Sequence, residues 1–200
     1  IRYHSFVGIV LVIMKKKIII AVNSTFNLIN HRIGLIKGLS DAGYEVVAVS
    51  PIDEFASRLK ELACQHVPLE MERKGTHIFR DLILFIRYRR LFKKLMPDVY
   101  LGFTVKPNIY GSLAAQSLGI PVINNISGLG TVFGAMSTSW LGSMLAHLLR
   151  VLYWFALLRS KKIFFQNKDD RLEFIDKGVA KTHLTDQLPG SGVDLDRFAY

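Results

Sequence analysis

The sequence predicts an α/β domain built on a doubly wound parallel sheet, and three observations carry the prediction. Short β-branched runs alternate with helical segments about six times along the chain. The runs are continuously apolar rather than alternating, as in strands buried on both faces. Two hundred residues, half of them apolar, supply enough hydrophobic surface for one sizeable domain.

Each element has its own signal. Lys17 to Val22 (Lys-Ile-Ile-Ile-Ala-Val) is the first strand, followed by the polar loop Asn23-Ser24-Thr25-Phe26-Asn27. Leu28 to Asp41 reads as a helix, with Ile29, Ile33, Ile36 and Leu39 near helical spacing and Gly43 just past its end. Glu45 to Ser50 is the second strand, Asp53 to Leu62 a helix, and Cys64 to Pro68 a short third strand. Thr76 to Leu95 forms a long helix stopped by Met96-Pro97. Asp98 to Gly102 is the fourth strand, Asn108 to Leu118 a helix ended by Gly119-Ile-Pro121, and Pro121 to Asn125 the fifth strand. Lys162 to Gln166 and a helix over Asp169 to Asp176 close the series.

Trp140 to Leu158 breaks this rhythm. Its nineteen residues contain only His147 and Arg150 as strongly polar groups, a length and apolarity that just permit a membrane span. A central Arg is costly in lipid, and the flanking strands must lie on one side of the membrane. The segment therefore reads as a helix packed on the domain, one face buried and the other in a lipid interface. Trp140, Tyr153 and Trp154 suit that boundary, with Arg159, Lys161 and Lys162 meeting anionic headgroups. The competing reading is a wholly internal core helix.

The formal charge is +10, and Glu72 to Lys94, with eight Lys or Arg against two acids, carries +6 of it. Such a patch suits phosphates, an anionic membrane surface or nucleic acid, or is simply a solvated helix face. The single Cys64 excludes an intrachain disulfide framework and fits a reducing cytoplasm; its flanks read as a small buried hydrophobe. Residues 1–13 are too short a stretch for a membrane span, and Lys15-Lys16-Lys17 follow the apolar run instead of preceding it as in a secretory signal. They read as an extension upstream of a Met14 start, or a short apolar leader. Residues 14–188 are then one domain, with 189–200 leading out of it.

The chemistry is expected in the loops at the carboxyl ends of the strands, where open parallel sheets bind ligands. The first loop lacks the glycines of a dinucleotide fingerprint; a P-loop and any metal-ligand spacing of His and Cys are also missing from the sequence. Asn23, Ser24, Thr25 and Asn27 offer amides and hydroxyls suited to a sugar or polar acceptor. In Phe103-Thr104-Val105-Lys106-Pro107-Asn108, Thr104 adds a hydroxyl, Lys106 is placed to meet a phosphate and Asn108 to cap a helix. On the plainer reading, Lys106 is only solvated and Asn108 only a cap. Asn124-Asn125-Ile126-Ser127-Gly128-Leu129-Gly130 is more telling, because two amides, a hydroxyl and two glycines stand in an apolar neighbourhood. Its glycines, Gly128 and Gly130, let backbone N–H groups approach a ligand.

These loops resemble the amino-terminal half of retaining GT-B glycosyltransferases of the family 4 type, over about Lys17 to Phe198. The resemblance is carried by Lys17-Ile-Ile-Ile-Ala-Val, Thr104-Val-Lys-Pro-Asn-Ile-Tyr-Gly111, Asn125-Ile-Ser-Gly-Leu-Gly130, Phe165-Gln-Asn-Lys-Asp-Asp170 and Gly190-Ser-Gly-Val-Asp194, five segments in the family's order. The second and third look closest to enzymes that extend lipid-diphosphate-linked oligosaccharides for surface polysaccharide or protein glycosylation.

The resemblance implies a Rossmann-like domain, the acceptor half of a two-domain enzyme, facing a carboxyl-terminal half that binds the donor. It implies a nucleoside-diphosphate-sugar donor, UDP-linked, with no metal or cofactor. The implied acceptor is a polyprenyl-diphosphate-linked glycan collected from an anionic membrane surface, at the inner face of the plasma membrane, and no nucleic acid is involved. Asn125, Ser127 and Asn167 join the acceptor loops, and Gly190, Ser191, Gly192 and Asp194 mark the hinge to the second half. Many family 4 members carry a His where this chain has Ser127; a subgroup has Ser or Thr followed by Gly-Leu-Gly, so Ser127 is the one catalytic candidate or simply bonds sugar hydroxyls. His31 and Arg32 are further polar contributors. Two alternatives stay open: a nucleotide-sugar 2-epimerase of related architecture, and an inactive membrane-binding remnant. Residues 14–200 alone are expected to transfer no sugar.

Overall fold

The computed structural model describes residues 15–62, 64–72, 77–128 and 140–191. Seven parallel strands form one sheet in the order β3-β2-β1-β4-β5-β6-β7. They are β1 (Lys17–Ala21), β2 (Glu45–Ser50), β3 (Gln65–Pro68), β4 (Val99–Phe103), β5 (Val122–Ile126), β6 (Lys162–Phe165) and β7 (Thr185–Gln187). The helices are α1 (Thr25–His31), α2 (Ile33–Asp41), α3 (Ile78–Leu95), α4 (Ser112–Gln116), α5 (Trp140–Leu157) and α6 (Lys168–Asp176). The doubly wound parallel sheet expected from the sequence is therefore present.

The apolar runs are buried on both faces, and the strand period of two sorts them. Ile19, Val47 and Tyr100 pack with Tyr88 and Phe92 of α3 and Ala114 and Ala115 of α4. Ile18, Ile20, Val46 and Ala48 face the other way, against Leu28, Ile29 and Ile36 of α1 and α2. A third cluster joins Ile163 and Phe165 to Leu149, Tyr153 and Leu157 of α5 and Phe174 of α6. Half-buried Cys64 packs on the second of these clusters, and burial pushes its thiol up, away from the reactive thiolate.

Several elements differ from the sequence expectation. The helix expected over Leu28–Asp41 starts earlier, because the Ser24 hydroxyl accepts a hydrogen bond from the Asn27 N–H (3.2 Å). It breaks at Arg32 (φ −126°, ψ −4°), so that α1 and α2 are separate. Over 53–62 only a 3₁₀ stretch, Ala56–Glu61, forms. There the Asp53 carboxylate accepts from the N–H groups of Thr25 (2.9 Å) and Phe55 (3.0 Å), holding the chain in a local turn. Asn108 does not cap its helix. The helical path is already running, with the Asn108 N–H donating to Thr104 O (3.0 Å), and a π turn over Pro107–Gly111 leads into α4. The short polar β7 has no apolar run to announce it; it is a strand because it pairs with β6.

Of the two readings of Trp140–Leu158, a wholly internal helix is excluded. Ala146, Leu149, Tyr153, Ala156 and Leu157 are buried, whereas Trp140, Met144, Leu148, Val151, Trp154, Phe155 and Leu158 form an exposed stripe at helical spacing. Trp140 is 74% and Trp154 41% exposed, but Tyr153 is only 2% exposed and belongs to the core face, correcting its expected place at the boundary. No helix among the described residues is long and apolar enough to cross a membrane.

Candidate functional site

The strand order reverses between β1 and β4, so the crevice of the sheet opens outside the carboxyl ends of these strands. Nearby lies a hollow of about 520 Å³ lined by Asn27, His31, Arg32, Ser127, Gln166, Pro189 and Ser191. Five residues singled out in the first loop, the helix after it, the loop after β5 and the last described segment (Asn27, His31, Arg32, Ser127 and Ser191) thus meet in one place. Ser127 and Gly128 (φ +138°) are exposed there. Gln166, just before the expected Asn167, was missed, although it stands inside the Phe165–Asp170 segment.

Arg32 dominates this hollow. Its residue is 5% exposed, its guanidinium lies 4.2 Å from the centre of the Phe103 ring, and Nη1 donates to Ser191 Oγ (3.0 Å) and His31 O (3.2 Å). Its Nε is buried without a hydrogen-bond partner. Burial pushes the group down to about 10, leaving it cationic at neutral pH. His31 is pushed down by burial first and by the neighbouring Arg32 second. Gln166 Nε2 donates to Ser191 Oγ (2.8 Å) and lies 3.4 Å from Asn125 Oδ1, linking the exit segment to β5.

Other singled-out residues serve as the frame. Ser24 and Thr25 are buried; the Thr25 hydroxyl donates to Pro51 O (2.7 Å), tying the first loop to the end of β2. Half-buried Asn23 accepts from Asn27 Nδ2 (3.4 Å). Asn167 caps α6, accepting from the Asp170 N–H (2.7 Å). Buried Asn124 donates to Asn108 Oδ1 (2.9 Å) and Ser112 Oγ (2.8 Å) and accepts from the Ser160 hydroxyl (2.7 Å). Asn108 Nδ2 completes this network by donating to Asn125 O (2.9 Å), which fixes the start of the Ser127 loop. Thr104 holds a left-handed backbone (φ +63°), a strained conformation for a β-branched residue at the crevice.

Lys106 lies apart, beside a second hollow of about 990 Å³ at the ends of β2 and β3. Its ammonium, 8% exposed as a residue, is paired with Asp81 Oδ1 at 2.7 Å rather than left for a phosphate. Tyr110 donates to the other Asp81 oxygen (3.0 Å), and burial followed by the Asp81 charge pushes its hydroxyl far up. Arg87 pairs with Glu70 (3.0 Å) and Arg80 with Glu72 in the same wall, so part of the basic stretch is neutralised locally. Gly190 (φ +89°) turns the chain toward Ser191. Gly130, Gly192, Asp194 and residues 1–13 lie outside the described residues.

Known proteins share this architecture. UDP-N-acetylglucosamine 2-epimerase from Rickettsia bellii superposes with a TM-score of 0.63 at 16% identity, covering 92% of this chain and 48% of that one. Acinetobacter baumannii MurG gives 0.58 at 17% identity, covering 90% and 46%. These likenesses concern the fold. In sequence, the N,N'-diacetylbacillosaminyl-diphospho-undecaprenol alpha-1,3-N-acetylgalactosaminyltransferase of Campylobacter jejuni is 24% identical over 173 residues, 86% of this chain and 45% of that protein. The chain thus spans about half the length of the relatives it matches. The glycosyl transferase 4-like family matches residues 18–167, a stretch that includes Asn27, Arg32, Ser127 and Gln166 of the hollow, and the chain belongs to that family.

Proposed function

We propose that the chain is the acceptor-side domain of a glycosyltransferase that moves a sugar from a nucleoside-diphosphate-sugar onto a lipid-diphosphate-linked glycan at a membrane surface. The observation that carries this reading is the family match, joined to a relative whose name specifies a diphospho-undecaprenol acceptor. In such a reaction an acceptor hydroxyl forms a bond to the anomeric carbon while the bond to the nucleoside diphosphate breaks. Asn27, Ser127 and Gln166 in the hollow offer hydrogen-bonding groups for sugar hydroxyls. On this reading the donor is UDP-linked, the reaction needs no metal, and configuration is retained.

The α5 stripe supports the membrane part of the proposal. An exposed row of aromatic and aliphatic side chains, followed by exposed Arg159 and Lys161, has the chemistry of an interfacial helix over anionic headgroups, on the inner face of the plasma membrane. Lys162 is instead paired with Asp186 (3.3 Å). Anionic liposomes are expected to recruit the chain. Trp140→Ser with Trp154→Ser should weaken recruitment by roughly tenfold or more, given the ~1.5–3 kcal/mol gained by burying one large apolar side chain. Cosedimentation with vesicles checks this, and unchanged recruitment by a folded double variant would remove the interfacial role.

The reaction class is tested by equilibrium binding and by turnover. The chain should retain a polyprenyl-diphosphate-linked disaccharide in micelles and should not convert a nucleotide-sugar. Binding of UDP-N-acetylglucosamine with no retention of the lipid-linked glycan would favour the epimerase alternative. Transfer of sugar by this chain alone would overturn the assignment of donor binding to a second domain.

A further inference from the structure

We propose that the Arg32 hollow is an oxyanion site, receiving a diphosphate group against a buried guanidinium that has no carboxylate partner among the described residues. Three observations converge on it. The residue is more than nine-tenths buried, it lines a hollow of about 520 Å³, and none of the described residues lining that hollow is acidic. The hydrogen bonds given to the guanidinium are made by one Nη to a carbonyl and a hydroxyl, both neutral acceptors, while Nε has no partner.

The contrast with Lys106 gives the physical weight. Lys106 is equally removed from water, but Asp81 faces it at 2.7 Å. Taking a cation out of water costs several kcal/mol even after relaxation, and neutral acceptors with one aromatic face recover only part of that. A fold that keeps such a group at the carboxyl edge of a parallel sheet, the place where these sheets hold ligands, leaves the balance to an arriving anion. The guanidinium fork suits two oxygens of a phosphate, and the neighbouring Asn27, Ser127 and His31 add neutral polar groups. Ser191 bonds both Arg32 and Gln166, so the anion would meet the guanidinium where the chain leaves the sheet.

The diphosphate can come from a lipid-linked acceptor or from a nucleoside-diphosphate donor. Only this choice of source rests on the transferase reading. The site itself is tested with inorganic pyrophosphate, which carries neither sugar, lipid nor nucleoside. Calorimetric titration of the 200-residue chain at fixed ionic strength should show saturable binding. Arg32→Met should remove it, and Arg32→Lys, which keeps the charge without the fork, should weaken it roughly tenfold or more. Arg32→Met should also leave the ligand-free chain no less stable, since it deletes an uncompensated buried charge. Undiminished pyrophosphate affinity in the folded Lys variant, or in the Met variant, overturns the proposal. So does binding that emerges only in Asp194→Asn, because the guanidinium would then belong to a carboxylate of the chain itself. With the site established, tighter binding of farnesyl diphosphate than of UDP assigns it to the acceptor, and the reverse order to the donor. Failure of the glycan-retention experiment would leave the pyrophosphate result standing.

Discussion

Gly111→Ala is expected to cost about 3 kcal/mol or more, a loss of roughly 10 °C in Tm for a domain of this size. A Cβ at position 111 would lie 1.9 Å from the Tyr100 hydroxyl and 2.5 Å from its Cζ. The ring has little room to yield. It is fully buried, its hydroxyl donates to Pro107 O at 2.9 Å, and its faces and edge are held by Tyr88 and Phe92 with ring centres 6.1 and 5.1 Å away. Relief therefore requires moving the π turn that carries Asn108, which would disturb the Asn124 network under the Ser127 loop. Thermal unfolding of Gly111→Ala in the native and Tyr100→Leu backgrounds checks the cause. In the second background the added methyl should cost under about 1 kcal/mol, and an equal cost in both would refute the clash.

Asp81→Ala should destabilise the chain by about 3–5 kcal/mol, because it strands a buried ammonium. Among the described carboxylates Lys106 would keep only Glu72 Oε2 at 4.0 Å, and Tyr110 would lose the acceptor of its hydroxyl. Replacing the pair together, Asp81→Leu with Lys106→Met, should cost much less, since the penalty arises from the unpaired charge more than from the lost contact. Urea titrations of the two variants decide the point. A single-variant cost below about 1 kcal/mol would mean that the pair behaves as an exposed one.

The strands were the most legible part of the molecule. Ile18 to Ala21 and Val46 to Val49 are apolar at every position because both faces of the sheet are covered, and a local run of β-branched residues records that directly. β7 was not legible, since Thr185, Asp186 and Gln187 are a strand only through their pairing with β6. The break at Arg32 was hidden for a related reason. Helical spacing of Ile29, Ile33 and Ile36 continues across it, while the buried guanidinium that lies over Phe103 depends on a strand 71 residues away.

In the candidate site, residue types at the strand ends were sufficient to point to the crevice, because the parallel sheet brings every such loop to one edge. Their individual roles were not. Lys106 stands in a polar loop and Arg32 in a run of helical spacing, and nothing local to either shows whether its charge is compensated. Asp81, 25 residues earlier on α3, turns Lys106 into half of an ion pair, whereas the described residues lining the Arg32 hollow include no carboxylate. The sequence alone determined the parallel α/β class and six of the strands, which follow from local apolar runs, and it pointed to the family through five loop and strand segments that resemble it. Only the tertiary structure decided which buried charge is already compensated, because the counter-ion of a side chain is set by what the fold packs beside it.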